Sequence, residues 1–130
     1  MPLNFHPNPG TIVICDYSTG FVPPEMVKAR PVVVLSPRRR TGQLVTVVPL
    51  SSTEPFPLEP WHVLLSPKAY PPARGPMWVK ADMIATVALT RLDRVKVTAP
   101  SGLRSYHTFQ VDSACLMTIR AAVKVGLGIT

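Results

Sequence analysis

Residues 30–53 read RPVVVLSPRRRTGQLVTVVPLSST, from Arg30 to Thr53. Within them, Pro31 to Leu35 and Leu44 to Leu50 are apolar runs dense in β-branched valine. Both are too short for a buried helix, which predicts two neighbouring buried strands. Ser36 to Gln43 lies between them, and its Pro, Gly and polar residues predict a hairpin loop with Arg38, Arg39 and Arg40 on its tip. A hairpin returns the chain to its starting end. Arg30 and the hydroxyls of Ser51, Ser52 and Thr53 therefore meet at the open end of the pair, as a candidate site.

The chain around this hairpin has 130 residues, a length that predicts one domain over 1–130 with residues 1–9 as an irregular arm. Hydrophobic residues make up 46% and charged residues 16%, which excludes a disordered tail and fits a folded β-rich unit. Sixteen prolines impose short strands and many turns, because proline gives a sheet no N–H. Lys and Arg exceed Asp and Glu by 14 to 7, a net +7 that points to a polyanionic partner, nucleic acid or an acidic protein.

Cys15 and Cys115 match no metal or redox spacing and read as small buried thiols of a reducing compartment. The carboxylates are scattered singly, without Asp-X-Asp or Glu-X-X-His, so neither a metal nor another cofactor is expected. His6, His62 and His107 are isolated and read as structural or solvated. No apolar run approaches the roughly 20 residues of a membrane span. The expected location is the cytoplasm.

In chain order, Thr11 to Asp16 predicts a first strand, and Tyr17 to Ala29, with Gly20 and Pro23-Pro24, a loop. Trp61 to Leu65 reads as the fourth strand and Met77 to Val87 as the fifth. In a regular strand Lys80 and Asp82 would share one face. Thr90 to Lys96 reads as a short helix or exposed turn, Ala99 to Gly102 as a turn and Ser105 to Val111 as a further strand. Leu116, Ile119, Val123 and Leu127 recur at helical spacing, with Asp112 or Ser113 as N-cap and Gly126 as C-cap.

The motifs ARPVVVLS and VVPLSS resemble those of the PemK/MazF toxins of bacterial toxin–antitoxin systems. Further matching stretches are Pro9 to Val13, Val79 to Val87 and the helix ending Gly126 to Ile129. The resemblance implies an SH3-like small barrel of five to seven short strands with a C-terminal helix, in a homodimer. It implies an endoribonuclease that cuts single-stranded mRNA at short sequences without metal and is held inactive by a cognate antitoxin. It also implies a mobile Tyr17 to Ala29 loop over the RNA groove, although STGFVPPEMVKA departs from the loop common among relatives.

Carried over residue by residue, Arg30 matches the family's catalytic arginine, and Ser51 stands where a catalytic threonine is usual. An arginine suits a phosphorane because its fork stays charged and pairs two oxygens. Asp82 is the candidate base, or else a group that positions Arg30 or reads a base, with Lys80 as its cationic neighbour. Ser52 and Thr53 are near enough to replace Ser51. Lys28, Arg38, Arg39, Arg40 and Arg74 are expected phosphate contacts. Tyr17, Phe21, Phe56 and Trp78 are candidates for base stacking, whereas Trp61 reads as core. Two other readings stay open: a CcdB-like toxin that binds gyrase without catalysis, and a degenerate binding module of the same fold.

Overall fold

The computed structural model describes residues 2–38 and 43–129. Its strands are β1 (Thr11–Cys15), β2 (Arg30–Val34), β3 (Leu44–Ser51), β4 (His62–Leu64), β5 (Trp78–Lys80), β6 (Ala85–Ala88), β7 (Leu92–Asp93), β8 (Val95–Thr98), β9 (Arg104–His107) and β10 (Phe109–Gln110). Among the described residues there is one α-helix, α1 (Ser113–Gly126), after the last strand. The fold is mainly β, as the sequence implied.

Among the described residues eight strands form one antiparallel sheet, six of them in the order β10-β1-β2-β3-β5-β4 with β6 and β7 off this path. The two inner strands have divided outer edges. β3 pairs through Leu44 to Val47 with β6 and through Leu50 and Ser51 with β5, while β1 pairs with both β7 and β10. Strands β8 and β9 form a separate hairpin across the Ala99 to Gly102 turn, where Gly102 takes φ +86° and its N–H meets the Ala99 carbonyl at 2.8 Å. Thr90 to Lys96 is accordingly a 3-10 turn, Leu89–Arg91, running into β7 and β8.

The unbroken valine runs have a simple cause: both faces of the central sheet are buried. Ile12, Val33, Val48 and Leu50 face one core, which Ile119, Ala122 and Val123 of α1 cover together with Tyr70 and Val79. Val13, Cys15, Val32, Val34, Val45 and Val47 face the other, roofed by Leu3, Tyr17, Val87, Leu89 and Leu92. Val32, Val33 and Val34 are fully buried, each contributing about 1.5–3 kcal/mol of apolar transfer. The irregular arm supplies Leu3 to this second core and donates the Leu3 N–H to the Leu92 carbonyl.

Met77 to Val87 is not one strand. A 3-10 helix at Ala81–Met83 separates β5 from β6, so the period-2 argument that put Lys80 and Asp82 on one face fails. The break serves packing, because the 3-10 helix lies under the end of α1. A Cβ on Gly126 would stand 3.3 Å from the Asp82 Cα and 3.3 Å from the Trp61 Cβ. Gly126 is therefore a close-approach residue inside the helix rather than its cap. The left-handed glycine after the helix is Gly128, at φ +72°. At the other end the Asp112 carboxylate accepts the Cys115 N–H at 2.7 Å, the expected N-cap.

Candidate active site

Pairing of Val32, Val33 and Val34 with Pro49, Val48 and Val47 sets the register of β2 on β3. Continued along the ladder, it brings Arg30 level with Ser51. On the far side of β3, Ser51 pairs with Trp78 of β5. Alternation from the core residues then gives the facing. Arg30, Ser51, Trp78 and Lys80 share the face opposite Val33, Leu50 and Val79, beyond the end of the second core. Three strands thus present a guanidinium, a hydroxyl, an indole and an ammonium to one side.

Arg30 is half-buried, and its buried Nε has no hydrogen-bond partner among the described residues. Such an orphan costs about 1–3 kcal/mol unless something else fills it. Ser51 is only 6% exposed, and its Oγ accepts the Thr53 N–H at 3.1 Å. That bond uses an oxygen lone pair and leaves the O–H to donate. Ser52 and Thr53 are exposed. Ser52 lines a cleft of about 310 Å³ with Glu54, Leu64, Pro76 and Trp78.

Asp82 lies exposed on its 3-10 helix, and no ion pair joins it to Arg30 among the described residues. It lines a second cleft, of about 420 Å³, opposite Phe21, Pro24, Glu25 and Met26 of the β1–β2 loop. That loop crosses the sheet face that carries Arg30, with Phe21 and Met26 packed on the second core. Glu25, which the sequence reading passed over, brings a second carboxylate to this cleft; its Oε1 accepts the Val22 N–H at 2.7 Å. It stands five positions before Arg30, the one signal in the sequence that could have marked it.

Arg91 was also missed. Its guanidinium stacks 4.9 Å over the Phe21 ring, and its Nη1 donates to the Asp16 carbonyl at 2.9 Å, tying the loop to the chain before β7. Phe21 also meets Tyr17 edge-on at 5.1 Å. Tyr17 itself is 2% exposed and belongs to the core, so it offers no stacking platform. The neighbouring Cys15 thiol is pushed up to about 11 by burial.

The remaining cations are dispersed. Lys28 is exposed two residues before β2, and Arg74 lines a cleft of about 360 Å³ with Leu64, Pro76 and Met77. Arg38 is exposed beyond the opposite end of β2, four positions past Val34, and the four strand steps from Arg30 to Val34 alone span roughly 13 Å. Arg39 and Arg40 lie outside the described residues. Phe56 is 99% exposed on the loop after β3, Trp78 is half-buried beside Ser51, and Trp61 is half-buried against the first core.

The histidines have local partners. His6 bonds the Pro7 carbonyl and faces the Ser36 Oγ, His62 accepts the Glu59 N–H, and His107 meets the Ser105 Oγ. No group of His, Cys, Asp and Glu suited to a metal occurs among the described residues, and no described helix is long and apolar enough to cross a membrane. Cys15 is buried and Cys115 half-buried, both as free thiols.

Residues 8–114 match the family of PemK-like, MazF-like toxins of type II toxin–antitoxin systems. Among solved structures, an endoribonuclease from a mycobacterial species is 24% identical, with 95% of this chain and 92% of that chain covered at a TM-score of 0.65. An endoribonuclease in complex with its cognate antitoxin, also mycobacterial, is 25% identical, with 95% and 97% covered and a TM-score of 0.63. MazF from Deinococcus radiodurans is 20% identical, with 97% and 100% covered and a TM-score of 0.69. No curated protein matches the sequence.

Proposed function

Because the chain belongs to the PemK-like, MazF-like toxins of type II toxin–antitoxin systems, we propose that it cuts single-stranded messenger RNA without a metal ion, and that Arg30 and Ser51 carry the reaction. The observation behind this reading is the pair itself: an arginine with an unpartnered buried Nε, level on adjacent strands with a hydroxyl whose proton is free to donate.

In this mechanism the ribose 2′-hydroxyl attacks the adjacent phosphorus as a base takes its proton. The phosphorus–5′-oxygen bond breaks as the 5′-oxygen takes up a proton from the protonated base or from water, leaving a 2′,3′-cyclic phosphate and a 5′-hydroxyl. Arg30 holds the charge that builds on the phosphorane, and Ser51 donates to one of its oxygens. Lys80 adds a second cation on the same face. Asp82 is the base candidate, and Glu25, across the same cleft, is its competitor. Lys28, Arg74 and Trp78 flank the path of the strand, while the Arg38 end of the hairpin is reached only by RNA running along the sheet.

The family match favours this reading over a gyrase-binding toxin. The partner we propose is an acidic antitoxin segment that covers the basic groove, supported by the relative solved with its cognate antitoxin. The active form is a homodimer of this single domain.

The test is cleavage of a long single-stranded RNA in excess EDTA, with the cuts mapped, by wild type and by Arg30→Ala. Wild-type cutting that Arg30→Ala loses supports the reading. Absence of cutting by wild type, or equal cutting by both, overturns it.

A further inference from the structure

The cleft beside Ser51 has a polar group that cleavage leaves unused. Its walls are Trp78, Leu64 and Pro76, and its polar edge is Ser52 and Glu54. Trp78 is the ladder partner of Ser51, so the cleft opens next to the position of the reacting phosphate. Its volume of about 310 Å³ has room for one base, and an indole face supports one by stacking.

Glu54 is one of three acids, with Glu59 and Asp82, whose carboxylates engage no hydrogen bond or ion pair among the described residues, and of the three it is the one that lines this cleft. Asp16, Glu25, Asp93 and Asp112 each accept a nearby backbone N–H. A lone anion on the lip of a groove for polyanionic RNA repels phosphate, so it weakens binding unless a donor-rich group meets it. A carboxylate only accepts, through two adjacent oxygens. Guanine is the one RNA base whose Watson–Crick edge sets two donors side by side, N1–H and N2–H. Adenine and cytosine place one donor beside an acceptor, and uracil places one donor between two acceptors.

We infer that this cleft binds the unpaired guanine next to the scissile phosphate, stacked on Trp78, with N1–H and N2–H donated to Glu54. The Ser52 hydroxyl lies on the same edge and serves O6. The inference rests on the ribonuclease reading for its substrate. It makes Glu54 a specificity residue and leaves the reacting atoms to Arg30 and Ser51.

The test separates binding from cutting. Labelled 2′-fluoro RNA pentamers, which lack the nucleophile, carry guanine, adenine, cytosine or uracil at each position in turn, and their binding to the full chain is read by anisotropy. Guanine at one position should bind about tenfold more tightly than the other bases. Glu54→Gln should bring all four within about twofold, and Trp78→Ala should weaken all of them, with thermal melts confirming that both variants are folded. Equal binding of the four bases by wild type, or a guanine preference unchanged in Glu54→Gln, overturns the inference. Guanine-selective binding by a protein that cuts no RNA would sustain the cleft and overturn the ribonuclease reading instead.

Discussion

The Ser51 hydroxyl oxygen accepts the N–H of Thr53 at 3.1 Å, which ties the side chain to its own turn and leaves its proton to donate elsewhere. A serine lacks the γ-methyl that restricts the rotamer of a threonine hydroxyl. The turn supplies the missing constraint. Ser51→Thr should therefore retain activity within a few-fold, whereas Ser51→Ala should lower the cleavage rate about 10²–10³-fold, the usual loss for one oxyanion donor. Single-turnover cleavage of a short RNA checks both, and a Ser51→Ala enzyme of near wild-type rate would remove Ser51 from the chemistry.

Arg30→Met keeps the aliphatic stem and deletes the guanidinium with its unpartnered Nε. Activity should fall about 10³-fold. Stability should hold or rise by up to about 1 kcal/mol, because a buried donor without a partner is lost. Urea melts beside cleavage rates give both values, and a clear destabilisation would indicate a structural arginine.

The hairpin Arg30 to Thr53 was legible because burial on both faces writes unbroken valine, a pattern that needs no knowledge of the neighbours. Met77 to Val87 was misread for the opposite reason. Lys80-Ala81-Asp82 imitates a half-buried strand, and nothing in it announces the 3-10 helix that α1 imposes through Gly126. Trp78 beside Ser51, and Glu54 in the same cleft, depend on the β3–β5 register, which is set by tertiary pairing rather than by either segment alone. Glu25 sat in a loop whose composition announces only turns.

Arg91 holds the β1–β2 loop by its stack on Phe21 and its bond to the Asp16 carbonyl. Arg91→Ala should remove about 1–2 kcal/mol of local stability. The loop after Asp16 should then exchange its amides faster and become more open to protease, while β2 and β3 stay protected. Hydrogen exchange read by mass spectrometry resolves the two regions.

Alkaline pH should destabilise the fold through Cys15. Burial raises its thiol from 9.0 to about 11, so the unfolded chain ionises first. The stability this contributes is complete below pH about 9 and is lost as pH climbs toward about 11, a span of roughly 2–3 kcal/mol. Burial shifts Tyr17 upward too, which extends the decline. Cys15→Val should flatten the melting-temperature profile between pH 8 and 10.5, and an unchanged slope would assign the decline to other groups.

The proposed catalytic pair is mounted on the two strands that form the midplane between the two cores. Neither Arg30 nor Ser51 belongs to a segment that can peel away by itself, since their strands open only when both apolar layers part. Heat inactivation should then coincide with global melting, and a short excursion above the transition should spare activity wherever the chain refolds. For a protein whose action is to be restrained and released by a partner, such a site switches by being covered and uncovered, its geometry already in place when the partner leaves.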